Sequence, residues 1–595
     1  MKENERMSFG ACLDGGEASF RIWAPGSREV VLRLGDGRAV SMDREDDGFW
    51  SCRTRPGDAM RYGYELDGEG PYPDPASRCQ PDGVHGLSMI VDAESWERQD
   101  SGWKGMDLTE YVIMEAHVGT FTHDGTFGAF EERLDHLTDL GITALELMPV
   151  AQFYGARNWG YDGVYIYAPQ NSYGRPEELR HLVEAAHARH LAIILDVVYN
   201  HIGPVGNYLP KYGPFFSDRH RTPWGTGLNY DGEQSGPVRE FVLSNALYWM
   251  EQYGFDALRL DAIHGIVDTS PKHLLREMAE RVETLSSGTG RRLHLIAESD
   301  LNDPRIVKPW EQGGYGLSAQ WNDDFHHALH TVLTDERAGY YEDYGSTEYI
   351  PKAMREGFVY DGTYSKYLAR KRGFPFGDLP REKLVVFSQN HDQIGNRAYG
   401  ERLSKLAGAE KARFAAGAVL LSPFTPMLFM GEEYAEEAPF LFFIDTDDRH
   451  FAGMVYEGRK KEFERFGWKD TPEPDSPETF GRSKLTWNTG SAKGAQMLRF
   501  YRDLISLRKK HVLPLRKDFR CSMEDGMMLL EYEGRTAVRF NLSRAVRRYV
   551  PDAGWEVVLH SGWREYGGSC KRGDAPLPPF SFVAAVHLSN SPSKM

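Results

Sequence analysis

The rhythm of apolar and polar positions changes twice along this chain. From about residue 8 to 95, short alternating runs such as ASFRIWAP, EVVLRL and YGYELDG are separated by Gly, Pro and Asp. A period of two gives a strand one buried and one wet face, so this part predicts a small antiparallel β-domain over residues 1–100. Ala93–Met106, polar and Trp-containing, reads as a link. After Tyr111, strand-length apolar runs alternate with longer amphipathic segments, the mark of repeated βα units. The predicted strands are Tyr111–Ala116, Ala144–Pro149, Ala192–Val198, Ala257–Asp261, His294–Glu298, Ser318–Trp321, Leu384–Ser388 and Pro426–Met430. Eight is the number a closed parallel barrel requires. Segments such as FEERLDHLTDLG, PEELRHLVEAAHARH and VREFVLSNALYWMEQYG supply helices; Leu179, Leu182, Val183 and Ala186 give the second one face to bury. From Lys517 to Leu588 short β-type runs return (MMLLEYEG, TAVRFNL, SFVAAVHL), and the last residues, SNSPSKM, are expected to be disordered. The predicted fold class is α/β: a (β/α)8 TIM barrel over 107–515, an N-terminal β-sandwich over 1–100 and a C-terminal β-sandwich over 516–595.

Two connections stand out by length, His201–Pro237 and Asp323–Pro380; long loops on a barrel are usually binding or lid elements. The most apolar stretch, Phe414–Met430, is broken by Ser422, Pro423 and Pro426 and reads as a buried helix and strand, not a membrane span.

Composition narrows the function classes. A net charge of −17 argues against nucleic acid or an anionic membrane as partner, since both need a basic face. Five scattered cysteines without a C-x-x-C pair suit a reducing compartment, and MKENERMSFG lacks the apolar core of a signal peptide. A cytoplasmic protein is expected.

Three strand-like runs end in carboxylates: Asp261, Glu298 and Asp392. Barrel enzymes carry their catalytic groups at these ends, and two carboxyls with a third acidic helper suit the breaking of a glycosidic bond. Arg259 lies two positions before Asp261, on the same strand face, where it would keep the carboxylate ionised and aimed as a nucleophile. Glu298, desolvated near other carboxylates, should hold its proton and act as general acid. Asp392, directly after His391, could grip a distorted sugar.

His201, His264 and His391 also lie at strand ends, suited to sugar hydroxyls or to a metal; no H-x-x-x-H or H-E-x-x-H spacing favours the metal. Trp159, Tyr161, Tyr199, Trp224, Trp321 and Phe325 crowd the same ends, as core or as platforms for sugar C–H faces. QWNDDFHH offers a hydroxyl-binding wall, with Asn322, Asp323, Asp324, Phe325 and His326 as candidates, and GEEYAEE (Gly431–Glu437) either joins it or is a solvated loop.

DVVYNH (196–201), GFDALRLDAIH (254–264), LIAES (295–299) and FSQNHDQ (387–393) resemble, in order and spacing, the four signature regions of the α-amylase superfamily, glycoside hydrolase family 13. The resemblance implies Asp261 as nucleophile, Glu298 as acid/base and Asp392 as transition-state stabiliser. It implies Arg259, His201 and His391 as substrate-binding residues and Tyr161, in WGYDG, as a stacking ring. A closer resemblance covers almost the whole chain: EAHVGTFTHDGTF, TALELMPVAQF, VGNYLPKYGPFFSDRHRTPWG, QWNDDFHHALH, NHDQIGNRAYGERL and LFMGEEYAEEAPFLFF are similar to the malto-oligosyltrehalose trehalohydrolase family. It implies release of trehalose from malto-oligosyltrehalose, a carbohydrate-binding (E-set-like) N-terminal domain, and functional coupling to a malto-oligosyltrehalose synthase. Gln393 and Asn396 join the substrate-binding candidates. Asn200 matches a calcium-ligand position of amylase relatives, but no partner ligands accompany it, so no metal and no cofactor are expected.

A glucan branching enzyme shares the barrel, the N-terminal β-domain and the trio, because the same ester intermediate can pass to a sugar hydroxyl instead of water. QWNDDFHHALH and NHDQIGNRAYGERL weigh against it. A non-catalytic glycan-binding protein would lack part of the trio, which is complete here.

Overall fold

The computed structural model describes residues 9–92, 96, 99–468 and 470–588. SNSPSKM and part of the 93–106 link lie outside the described residues.

All eight predicted runs form strands of one closed, parallel barrel: β1 (Ile113–Ala116), β2 (Ala144–Leu147), β3 (Ala192–Val197), β4 (Ala257–Leu260), β5 (His294–Ala297), β6 (Ala319–Trp321), β7 (Leu384–Val386) and β8 (Thr425–Phe429). β8 pairs back onto β1 to close the ring. Alternation along each strand sorts the side chains. Leu258 and Leu260 of β4 pack outward into the large core beneath the helices, whereas Ala257 joins Ile113, Ala144, Ile194, Ile296 and Met427 in the barrel's own interior. Trp103 packs against that interior cluster, stacks on His187 at 5.0 Å and donates from Nε1 to Asp256 at 2.8 Å, so the described end of the link is docked on the barrel.

Above this apolar layer the inner face turns charged. Glu115 on β1 stands beside Glu146 on β2, and Asp196 on β3 beside Arg259 on β4. All four are fully buried or nearly so.

Two antiparallel sheets precede the barrel, one of four strands and one of five, joined by the edge-on contact of Phe20 and Tyr62 at 5.1 Å. Phe9 and Trp23 carry their core onto Phe241 and Phe215 of the barrel region. After it, a five-stranded antiparallel sheet (Phe519–Glu524 to Ser581–His587) covers the helix Ala409–Leu420, with Phe414 on Phe540 at 5.4 Å. The apolar stretch Phe414–Met430 is the end of that helix followed by β8, as its sequence predicts.

The long connections are structured. His201–Pro237 carries a hairpin, Phe216–Thr222 and Gly225–Leu228. Asp323–Pro380 begins with the barrel helix α1 (Asp323–Thr334) and ends in the hairpin Thr363–Ser365 and Arg370–Arg372.

Candidate active site

Arg259 organises the barrel mouth. With no exposure to solvent, its guanidinium lies 4.2 Å from the Trp321 ring centroid, and Nη1 donates to Asp261 Oδ1 at 2.9 Å and Asp196 Oδ2 at 2.7 Å. Nη2 lies 3.5 Å from Glu298 Oε2. Asn200 Nδ2 donates to the other oxygen of Asp261 at 2.6 Å. Donors on both oxygens suit an anion, which accepts only. Glu298 is held differently: the Ala262 backbone N–H donates to Oε2 at 2.5 Å, from a left-handed turn with φ of 38°. Burial pushes Glu298 well above the usual carboxyl range, opposed by Arg259 and reinforced by Asp261, Asp392 and Asp323. One carboxyl presents a lone pair and its neighbour a proton, across one cation.

Asp392 opens the short helix α2 (His391–Gly395), capped by Asn390, and accepts from Asn396 Nδ2 at 3.0 Å. Arg459 in turn donates to Asn396 Oδ1 at 2.8 Å. His391 lies beneath the Tyr161 ring, 5.1 Å between centroids, and burial, which lowers its pKa, is outweighed by Asp392 and Glu115, which raise it to about 9. Tyr161 donates to Asp196 Oδ2 at 2.6 Å. On the far side Gln393 Nε2 donates to Asp323 Oδ1 at 3.3 Å, and burial, with Asp392 and Asp300 adding, pushes Asp323 up to about 7.

The structure therefore gathers Asp261, Glu298, Asp392, Arg259, His391, Tyr161, Asp323, Gln393 and Asn396 around one mouth. His201 stands just behind: its ring nitrogens face Asn200 Oδ1 and, at 2.9 Å, the Tyr161 carbonyl, so it fixes the backbone at Tyr161. His264 lies beside Trp224, whose half-exposed ring also covers His201.

The hydroxyl-binding wall needs correction. Of Asn322 to His326, only Asp323 faces the mouth; the other four are 2% exposed or less. Asn322 caps α1 and donates to Gly357 O; Asp324 accepts from Asn302 and from the backbone of Val359 and Tyr360; Phe325 packs on Phe424; His326 bonds Ser388 O and Tyr341. The run starts a helix, so only about one residue per turn points upward. GEEYAEE is neither wall nor solvated loop. Glu432, Glu433 and Glu436 are buried, bonded respectively to Tyr501, to His136 and to the Thr486 backbone. Asn200, matched by resemblance to a calcium ligand, is occupied with Asp261 and His201, and among the described residues no group of three or more His, Cys, Asp or Glu is arranged to hold a metal.

Asp196, Glu115, Glu146 and Arg459 are further members that the sequence reading passed over. Each of the first three interrupts an apolar strand (ILDV, IMEA, ALEL), and a charge in mid-strand is the signal that marks them.

A family model described as the alpha amylase catalytic domain matches residues 73–212. The malto-oligosyltrehalose trehalohydrolase of Saccharolobus solfataricus is 46% identical over 531 residues, 89% of this chain and 91% of that one. A crystal structure of an α-amylase-type protein from Salmonella typhimurium superposes with a TM-score of 0.89 at 38% identity, covering 98% of this chain and all of that one. By contrast, the 1,4-alpha-glucan branching enzyme of Salinibacter ruber is 31% identical over 363 residues, 52% of this chain. With that mouth at the end of a closed barrel and that identity over nearly its full length, the chain belongs to the malto-oligosyltrehalose trehalohydrolase family of the α-amylase superfamily.

Proposed function

We propose that this protein hydrolyses the α-1,4-glucosidic bond next to the terminal trehalose unit of malto-oligosyltrehalose, releasing trehalose and a malto-oligosaccharide. One observation carries the chemistry: a single buried guanidinium bonds Asp261 and reaches Glu298, while burial keeps the proton on Glu298. Asp261 attacks the anomeric carbon of the malto-oligosyl unit; the bond to the trehalose oxygen breaks, and that oxygen takes the Glu298 proton. Glu298, now a carboxylate, removes a proton from water. The water oxygen bonds to the anomeric carbon, the ester to Asp261 breaks, and the α configuration is retained. Asp392, beside the protonated His391, holds the distorted ring, and Tyr161 stacks beneath it. The two donors fixed on Asp261 and the single backbone donor on Glu298 support this division of roles.

The branching reading is disfavoured, because the branching enzyme match covers only half of the chain at lower identity. We further propose a cytoplasmic enzyme that takes its substrate from a malto-oligosyltrehalose synthase. Among the described residues no helix is long and apolar enough to cross a membrane. The test sets malto-oligosyltrehalose beside maltoheptaose: fast trehalose release from the first with little action on the second is expected, and equal cleavage would reduce the assignment to a general amylase.

A further inference from the structure

Glu115 lies in the middle of β1, without solvent exposure, in the charged layer of the barrel's inner face beside Glu146. A carboxylate in such a place is costly unless fully engaged. Its two oxygens take hold of one residue: Oε1 stands 2.5 Å from His391 Nδ1, and Oε2 accepts the His391 backbone N–H at 3.0 Å. The other ring nitrogen, Nε2, meets the Tyr161 hydroxyl at 2.8 Å and Asp392 Oδ2 at 3.5 Å.

Proton counting fixes the state of the ring. Tyr161 has one hydroxyl proton and gives it to Asp196 Oδ2, an oxygen that already accepts from Arg259. Toward His391 the hydroxyl can therefore only accept, so Nε2 carries a proton. Nδ1 faces a carboxylate and carries one too. His391 is an imidazolium clamped at both ends, with Tyr161 stacked on its face and Trp159 edge-on at 5.6 Å.

We infer that Glu115 is a positioning residue for the reaction: by gripping both the ring and the backbone of His391, it holds a fixed cation and donor beside Asp392 and the stacking ring of Tyr161. This rests on the proposed role of Asp392. Without the grip the imidazole loses its Nδ1 acceptor, can turn or become neutral, and leaves Tyr161 and Asp392 without their common neighbour. The other charged or titratable groups near His391 are Glu146 on β2, Arg259 on β4, Tyr161, His117 after β1, and Asp392 on its own helix, with Asp196 on β3 one step further, on the Tyr161 hydroxyl. Glu146 has no hydrogen-bond partner on either oxygen, and burial holds its proton, so it adds no competing anion.

The test compares Glu115→Gln, His391→Gln and the double variant on malto-oligosyltrehalose and on a chromogenic malto-oligoside, with thermal midpoints as a folding check. Glu115→Gln keeps the shape but replaces one acceptor by an amide that opposes an N–H. Expected are a fall in kcat of about 10²-fold with a smaller change in KM, an alkaline limb of the pH profile moved to lower pH, and a double variant no worse than His391→Gln alone. A Glu115→Gln enzyme with wild-type kcat and an unmoved limb, or losses that simply add, would overturn the inference. If the amide variant does not fold, Glu115→Asp replaces it and must show the same non-additivity with His391→Gln. A wild type that cleaves only the chromogenic substrate would remove the trehalose assignment while still testing Glu115.

Discussion

Asp261 and Glu298 are both carboxyls within reach of one arginine, and hydrogen-bond supply separates them: two donors fix the first, one backbone N–H the second. Glu298→Gln preserves that N–H contact and removes the transferable proton. It should cut turnover by about 10²–10⁴-fold with substrate binding nearly intact, measured as kcat beside a Kd for malto-oligosyltrehalose. Retained turnover would strip Glu298 of its role. Asp261, Glu298 and Asp392 were legible in sequence because each follows an apolar run of strand length. Glu115 and Glu146 were equally visible as charges inside strands, but one sequence does not tell which neighbour a buried acid meets. Glu115 stands 276 positions from His391 and meets it only because β8 closes on β1.

At the scale of elements, α1 and the segment after β8 show where sequence patterns mislead. Polar letters in QWNDDFHH suggest an open wall, yet they begin a helix whose Asp324 ties three other segments together, through Asn302 before it and Tyr344 and the Val359–Tyr360 backbone after it. Asp324→Ala strands those buried donors and should cost about 3–5 kcal/mol in urea unfolding; a cost below about 1 kcal/mol would demote the anchor to decoration. In GEEYAEE three acids, Glu432, Glu433 and Glu436, are buried because hydroxyls, an imidazole and backbone amides await them, which no local pattern reveals. Burial raises Glu432 to about 7, against which the Tyr501 bond works. Between its unfolded value of about 4.3 and about 7 the folded protein thus binds the extra proton, and stability declines as pH rises through that window. Glu432→Gln should flatten the fall of the thermal midpoint from pH 5 to 7; a slope identical to wild type would show that the proton is not held there.

For the whole molecule, the sheets flanking the barrel are fastened by packed rings, and the C-terminal sheet leaves no slack at Gly417. A Cβ there would stand 2.2 Å from the Phe582 ring. Gly417→Ala should therefore lower the thermal midpoint by forcing sheet and barrel helix apart, at about 1–3 kcal/mol for overpacking. Phe582→Leu on top of it should recover part of that loss; two independent losses would mean that the contact does not join them. The eight-stranded plan was readable because strand-length apolar runs and period-3.6 segments alternate along the barrel region, whereas the identity of touching surfaces depends on closure and was not.

Ala262 turns left-handed immediately after Asp261, the proposed nucleophile, and hands its N–H to Glu298, the proposed acid. The backbone of Asp261 thus joins the two carboxyls by a second route, beside the Arg259 guanidinium that reaches both. On the proposed mechanism ester formation uses the proton on Glu298 and ester hydrolysis its absence, and one peptide N–H holds the carboxyl for both. A change that tilts this peptide plane is therefore expected to disturb both half-reactions, since it moves the group that gives the proton in one and takes it in the other.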